Sequence, residues 1–174
     1  MILRLSRPGE WQYSRSNSEV PVSFDSPQAA GWEPLLQAAW GAWKQAYVPY
    51  SRFRVGAALL RTDGGIVAGC NVENASFPVT LCAERTALCA AVTQGLRPGG
   101  LKALVVVTEA ETLTPPCGAC RQVLAEFAES LPVLLANRSS RALFDLRELL
   151  PQAFTGRNLG LSWPHELPNP GMNP

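Results

Sequence analysis

The sequence predicts a three-layer α/β/α domain with a five-stranded mixed sheet. The order of its segments supports this fold class: helix, hairpin, helix, strand, helix, strand, strand and short helix. Two of the later strands, at 103–108 and 132–136, are almost continuously apolar, which is typical of strands covered on both faces. The sheet is therefore expected to lie between two helical layers.

The first half of the domain is predicted as a helix followed by a hairpin. Apolar residues recur at helical spacing over about 28–47, and this helix must end before Pro49. Strands are predicted at 55–61 and 66–72, because the Thr-Asp-Gly-Gly sequence at 62–65 is a strong hairpin signal.

The second half alternates helices with buried strands. Asp145 has the side chain of an N-cap and Pro151 ends the helix that it begins. The predicted elements are a helix at 81–94, a strand at 103–108, a helix at 118–130, strands at 132–136 and 141–144, and a short helix at 146–150.

The length of 174 residues suits one domain with flanking segments. We assign 31–155 to the folded domain that these elements form. Residues 1–30 lack sustained periodicity and are predicted to be a loosely ordered extension, with a short strand considered at 20–24. Residues 156–174 form a proline-rich tail.

Charge and cysteine content narrow the classes of function. There are 15 Lys+Arg against 14 Asp+Glu and no basic run, so nucleic acid is not an expected partner. No apolar segment approaches the ~20 residues that cross a bilayer, and the first residues lack a secretory h-region. The five cysteines include a C-x-x-C pair, which favours metal or redox chemistry in a reducing compartment. We expect a cytoplasmic protein that binds no membrane.

Two cysteine motifs carry the chemistry. Cys82 begins the sequence C-A-E-R, and Cys117 and Cys120 lie in P-C-G-A-C-R at 116–121. Each motif opens a predicted helix, and helix N-termini gather at one end of such a sheet, where ligands bind. The three thiols can therefore meet and hold a zinc ion with an open fourth position for water.

Other ligand sets are weaker. The only histidine, His165, is isolated in the tail. Cys89 lies seven residues beyond Cys82 on the same predicted helix, about 10 Å away, and Cys70 falls on a strand. A closed four-cysteine structural site and a redox C-x-x-C pair are the alternatives.

Charged residues beside the motifs suit a catalytic zinc. Helix N-termini would offset part of the negative charge of three thiolates, and Arg85 and Arg121 could offset more by hydrogen-bonding the sulfurs. Glu84, two residues after the first ligand, can face the water and pass its proton to a substrate. Either arginine could instead be a solvated helix residue.

The motifs resemble those of the cytidine deaminase family. The C-x-E…P-C-x-x-C pattern is that of zinc base deaminases with cysteine as first ligand. The resemblance covers about 33–155 and includes AYVPYSRFRVGAAL at 46–59, GCNVENA at 69–75, CAERTA at 82–87, CGACRQV at 117–123 and ELLPQAF at 148–154.

This resemblance implies a small homotetrameric enzyme with the family fold and one Zn²⁺ per subunit. The implied reaction is hydrolytic deamination of cytidine and 2′-deoxycytidine to uridine and 2′-deoxyuridine, with release of ammonia, in pyrimidine salvage. Phe154 resembles an aromatic residue that reaches a neighbouring subunit's pocket.

The same resemblance implies the substrate contacts. Asn71 and Glu73 match residues that bind the ribose 3′-hydroxyl, and Phe53 matches an aromatic packed on the pyrimidine ring. The Ala83 amide would donate to O2 of the base, and Glu84 would protonate N3. The Pro115 carbonyl would accept from the 4-amino group.

The chain also departs from the family pattern beside the pocket. Phe77 replaces a frequent tyrosine, Val79 and Thr80 replace a Leu-Gly pair, and Pro115 replaces a serine. We hypothesise that N4-substituted cytosines are accepted.

Two other functions remain as alternatives. A blasticidin-S-type aminonucleoside deaminase shares the cysteine motifs, although the N-V-E-N sequence at 71–74 resembles the ribose-reading motif of the nucleoside enzymes. A non-catalytic, zinc-stabilised binding module would need the cysteines but not the proton-transfer function of Glu84.

Overall fold

A computed structural model describes residues 4–7, 10–12 and 29–162. Strands β1 (Arg4–Arg7) and β2 (Glu10–Gln12) form a separate antiparallel pair that the sequence pattern did not indicate. The strand considered at 20–24 lies outside the described residues.

The predicted five-stranded mixed sheet is confirmed. Its strands lie in the order β4-β3-β5-β6-β7, and the β5–β6 pair is parallel while the other three pairs are antiparallel. The strands are β3 (Val55–Arg61), β4 (Ile66–Cys70), β5 (Leu101–Thr108), β6 (Pro132–Ala136) and β7 (Arg141–Asp145).

Helices cover both faces of the sheet. They are α1 (Glu33–Trp43), α2 (Ala83–Thr93), α3 (Gly118–Ala125) and α4 (Leu146–Leu149), with 3-10 turns at Ala29–Trp32, Phe77–Val79 and Gly156–Leu159. In the described part of the chain, no helix is long and apolar enough to span a membrane.

Alternate side chains of the strands supply two separate cores. On one face of the sheet, Ala58, Val105 and Leu134 pack with α1. On the other face, Leu59, Val106 and Leu135 pack with α2 and α3. This division follows from the two-residue period of a strand and confirms the three-layer prediction.

Two predicted helices end earlier than expected, and tertiary contacts explain the first case. α1 ends at Trp43 rather than near residue 47, because the Tyr47 amide donates to the Asn71 carbonyl at 3.1 Å instead of continuing the helix. α3 ends at Ala125 rather than at residue 130. Just beyond its end, the amides of Phe127 and Ala128 both donate to the Leu124 carbonyl.

Asp145 caps α4 as predicted. Its Oδ1 accepts from the Arg147 amide at 2.8 Å, and the Asp145 amide donates to Glu148 Oε2 at 3.0 Å. This reciprocal arrangement is a capping box, which satisfies two amides that the helix itself leaves free.

Gly69 allows α2 to approach the sheet. A Cβ atom at this position would lie 2.4 Å from the Ala87 nitrogen and 2.8 Å from the Ala83 carbonyl oxygen. The first turn of α2 therefore packs directly on the backbone of β4. Because that turn follows Cys82, the glycine sets the position of the first cysteine motif relative to the sheet.

Candidate active site

Three cysteine sulfurs from two helix N-termini form one cluster. Cys82 and Cys117 are the N-cap residues of α2 and α3, each with an extended backbone, and Cys120 lies in the first turn of α3. The Sγ atoms of Cys82 and Cys117 are 3.8 Å apart, and those of Cys117 and Cys120 are 3.5 Å apart. All three lie within 4.8 Å of one another.

The cluster has the dimensions of a zinc site. Two sulfurs that each lie about 2.3 Å from a tetrahedral zinc ion are about 3.8 Å apart. Among the described residues, no other group of three or more Cys, His, Asp or Glu side chains is placed to hold a metal, and neither Cys70 nor Cys89 joins this one. Three sulfur ligands leave a fourth position open, as in catalytic rather than structural zinc sites.

The three sulfurs lie close enough to shift the pKa values of Cys82 and Cys120 in opposite directions. A hydrogen bond from Cys120 is the largest effect that lowers the pKa of Cys82, and the Arg85 guanidinium lowers it further, to about 5. The interaction with Cys82 and burial raise the pKa of Cys120. Thiolate character at Cys82 is what a metal ligand requires.

The two arginines beyond the motifs have different contacts. Arg85 donates from Nη2 to the Thr80 carbonyl at 2.9 Å and approaches the Cys82 sulfur at 3.7 Å. Its Nε is buried and has no hydrogen-bond partner among the described residues. A cation held in this way favours thiolate at Cys82, consistent with a metal-binding set.

Arg121 contacts backbone oxygens. Its Nε donates to the Pro116 carbonyl and its Nη1 to the Leu149 carbonyl, both at 2.7 Å. These bonds fix the residue before Cys117 and join α3 to α4. A contact between Arg121 and a sulfur, as the sequence suggested, stays a prediction.

Glu84 and Ala83 lie at the head of α2, beside the sulfurs. Glu84 is only 4% exposed, and burial raises the pKa of its carboxyl group, with a further rise from the charge of Cys82. Ala83 is the first residue of α2, so its amide has no acceptor within the helix. The site therefore combines a buried carboxyl group with an amide donor.

Asn71 and Glu73 form a second group, next to the first in the structure. Val72, between them, exchanges two backbone hydrogen bonds with Leu81, the residue before Cys82, at 2.9 and 3.0 Å. The side chains of Asn71 and Glu73 are both buried. This short bridge joins the segment 71–73 after β4 to the residue that precedes α2, and so places the two groups side by side.

The loop at 47–55 already occupies most of the hydrogen-bonding sites of the Asn71 and Glu73 side chains. Asn71 accepts from the Val55 amide and donates to the Phe53 carbonyl, both at 2.8 Å. Glu73 Oε2 accepts from the amides of Tyr50 at 2.9 Å and Ser51 at 3.2 Å, and Oε1 accepts from the Ser51 hydroxyl. Hydrogen bonding to that hydroxyl is the main cause that lowers the pKa of Glu73.

The remaining predicted contacts lie at the surface. Phe53 is 42% exposed and Pro115 is exposed one residue before the buried Pro116. Phe154 is 60% exposed, and its carbonyl accepts from Gln122 Nε2 at 2.5 Å. The structure therefore ties Phe154 to α3 but brings it into neither of the two groups.

Sequence reasoning missed two polar residues that hold predicted substrate-contact residues in place. Ser51 and Gln122 both fall within quoted motifs, yet neither residue type signals chemistry by itself. Their roles depend on long-range hydrogen bonds, to Glu73 and Phe154 respectively, which have no sequence period.

Comparison with known proteins decides the family. The sequence profile of the cytidine and deoxycytidylate deaminase zinc-binding region matches residues 32–135. The chain belongs to this deaminase family. It is a zinc-dependent enzyme, and the Cys82, Cys117 and Cys120 cluster is placed to bind the metal.

Individual relatives of the deaminase cover most of the chain. A cytidine deaminase from Sporosarcina psychrophila is 50% identical over 129 residues, which are 73% of this chain and 93% of that protein. A cytidine deaminase structure from Burkholderia pseudomallei has a TM-score of 0.68 at 48% identity and covers 70% of this chain and 97% of that one. One from Mycobacterium tuberculosis gives 0.60 at 46% identity, with coverage of 71% and 96%.

The rival family is more distant. A blasticidin-S deaminase from Bacillus cereus is 27% identical over 111 residues, which are 60% of this chain and 79% of that protein. The comparisons therefore favour the cytidine deaminases over the alternative that shares the cysteine motifs.

Proposed function

We propose that the enzyme hydrolyses cytidine and 2′-deoxycytidine to uridine and 2′-deoxyuridine, with release of ammonia. The observation that carries this proposal is the three-sulfur cluster with buried Glu84 beside it at the head of α2. The names of the similar proteins, cytidine deaminases at 47–50% identity, support the substrate class.

The predicted metal ligands are Cys82, Cys117 and Cys120, with one Zn²⁺ per subunit. Zinc in such a site supplies a nucleophile at neutral pH, because it lowers the pKa of a coordinated water to about 7. Glu84 takes a proton from the attacking water and delivers it to N3 of the base, so that C4 can accept the new C–O bond. It then transfers the proton of the C4 hydroxyl group to the 4-amino group, so that the C4–N bond breaks, the C4=O bond forms and ammonia leaves. Its carboxyl group is withdrawn from bulk solvent, which limits loss of that proton.

Backbone groups orient the base. The Ala83 amide donates to O2 of the pyrimidine, which uses a helix N-terminal amide that has no intrahelical acceptor. The Pro115 carbonyl accepts from the 4-amino group and directs it away from the ring as ammonia leaves. Phe53 packs on the base, for which its exposed ring is available.

The sugar contact follows from the hydrogen bonds that the protein leaves unused. An Asn amide has two N–H donors, and Asn71 uses one of them on Phe53. A carboxylate has about four acceptor sites, and Glu73 uses three. The unused N–H of Asn71 and the unused acceptor site of Glu73 together complement a single hydroxyl group. We assign this pair to the 3′-hydroxyl of the ribose.

The direct test is incubation of the zinc-loaded protein with cytidine and with deoxycytidine, following the change in ultraviolet absorbance as uracil nucleosides form. Blasticidin S is assayed in parallel. We expect turnover of the two cytosine nucleosides at rates well above that of blasticidin S. A zinc-loaded preparation that leaves both nucleosides unchanged would overturn the proposal.

N4-substituted cytosines provide a prediction about substrate range. Phe77 and Val79 are 66% and 60% exposed, and the Phe77 ring packs edge-on against Tyr50 with centroids 5.7 Å apart. Because these exposed side chains stand beside the pocket, where the chain departs from the family pattern, we expect N4-methylcytidine to be deaminated at a measurable rate, with release of methylamine. The measurement is uridine formation by chromatography, with cytidine as the control for active enzyme. No turnover of N4-methyl- or N4-acetylcytidine would contradict the prediction.

We also propose that the active enzyme is a homotetramer in which Phe154 enters the pocket of a neighbouring subunit. The exposed ring of Phe154 supports this, because Gln122 and the capped turn at Gly156–Leu159 hold its backbone while the side chain lies at the surface. Burying such a ring against a second copy would remove its exposed apolar surface from water.

Mixing two defective variants tests this contribution. Phe154→Ala and Glu84→Gln are each expected to be impaired, by about tenfold in KM for the former. After joint unfolding and refolding, mixed oligomers contain sites with an intact Glu84 and a neighbour's intact Phe154, so the mixture should exceed the average activity of the two separate samples. Sedimentation gives the oligomeric state, and an activity equal to that average would argue against exchange of Phe154.

A further inference from the structure

The loop at 47–55 carries Phe53 and is hydrogen-bonded at both ends to the segment 71–73, which follows β4. At one end the Tyr47 amide donates to the Asn71 carbonyl at 3.1 Å, and the Glu73 amide donates to the Tyr47 carbonyl at 2.8 Å. At the other end the Asn71 amide donates to the Val55 carbonyl at 3.2 Å. The base-packing and sugar-reading residues therefore belong to one closed unit.

The middle of this loop needs support. Arg52 has φ 57°, in the left-handed region that residues with a Cβ rarely adopt. The conformation persists only where surrounding contacts over-determine it. The Glu73 carboxylate supplies these contacts from inside the loop, through the amides of Tyr50 and Ser51 and the Ser51 hydroxyl.

The Ser51 hydroxyl joins the two recognition groups directly. It donates to Glu73 Oε1 and accepts from the Phe53 amide at 3.0 Å. A hydroxyl has one proton, so this donation is fully committed to Glu73. The chain of bonds runs from the Phe53 amide through Ser51 to the carboxylate oxygen that still has acceptor capacity.

We propose that Ser51 is a positioning residue for substrate recognition. By holding Oε1 of Glu73 and the backbone of Phe53 in one hydrogen-bonded chain, it sets the oxygen that receives the sugar 3′-hydroxyl. Because Ser51 itself has no free donor for the substrate, it acts through Glu73 rather than by contact. This inference rests on the proposed function, in which Glu73 binds the sugar.

The experiment compares cytidine with 3′-deoxycytidine in the wild type and in Ser51→Ala. Loss of a hydrogen bond to a charged group corresponds to about tenfold or more in binding. We expect kcat/KM for cytidine to fall about tenfold in Ser51→Ala, mainly through KM, as for loss of uniform binding. For 3′-deoxycytidine, kcat/KM should change by less than about threefold in Ser51→Ala, since that substrate has no 3′-hydroxyl group to donate to Glu73.

Ser51→Thr, which keeps the hydroxyl, should restore most of the cytidine kcat/KM, and Ser139→Ala, a serine variant in the turn between β6 and β7, should behave as wild type. Zinc content should stay unchanged in all variants. An equal loss on both substrates would mean that Ser51 only maintains the loop and would overturn the inference. A wild type that does not distinguish cytidine from 3′-deoxycytidine would instead refute the assignment of Asn71 and Glu73 to the 3′-hydroxyl.

Discussion

Glu84→Gln is expected to lower kcat for cytidine by about 10²–10⁴-fold, the range for loss of a positioned acid–base group. The amide has nearly the same shape as the carboxyl group, so it fits a site that is only 4% exposed. The side-chain amide cannot take up and release a proton near neutral pH, as a carboxyl group can. Because the residue is not one of the three sulfur ligands, the zinc content per chain should not change.

The measurement pairs steady-state kinetics on cytidine with zinc analysis of the same preparation. Glu111→Gln is a matched control, because Glu111 is an exposed glutamate in the segment after β5 and should leave kcat unchanged. Full deaminase activity in Glu84→Gln would mean that another group moves the proton, and it would overturn this role of Glu84.

Cys120→Ala is expected to remove zinc and activity together. Cys120 is fully buried and contributes one of only three sulfurs, so the two that remain make an incomplete tetrahedral site. Deamination should fall to background because the nucleophile is no longer available at neutral pH. The melting temperature should also fall, since bound metal stabilises the folded state.

The measurements are zinc per chain after gel filtration, activity on cytidine and thermal unfolding. Cys89→Ala is the matched control: Cys89 is an exposed cysteine on α2, outside the cluster, and its loss should change neither zinc content nor rate. If Cys120→Ala kept one zinc and normal turnover, the ligand assignment would be wrong. Zinc loss in Cys89→Ala would favour a four-cysteine structural site.

The order of the elements could be predicted because hydrophobic period is a local property. The strand at Val55–Arg61 has the predicted bounds, and Asp145 caps α4 as its residue type indicated. The ends of α1 and α3 could not be predicted in the same way. Tyr47 leaves the helical path to pair with Asn71, a partner 24 residues away that local propensity does not register.

The predicted active-site residues show a similar division. The spacing of Cys82, Cys117 and Cys120 at two helix starts was sufficient to expect a shared metal, and the structure brings their sulfurs within 4.8 Å. The hydrogen bond from Arg121 to the Leu149 carbonyl could not be predicted, because it joins elements that are distant in sequence.

By itself, the sequence determined the layer order of the fold, the residue types of the zinc set and the carboxyl group beside it, because these depend on periodicity and on the chemistry of each side chain. Only the tertiary structure decided which donors and acceptors remain free. Asn71 keeps one N–H and Glu73 one acceptor site because the loop around Ser51 uses the others. Hydrogen-bond capacity is shared between elements distant in sequence, so it becomes defined only when the chain folds.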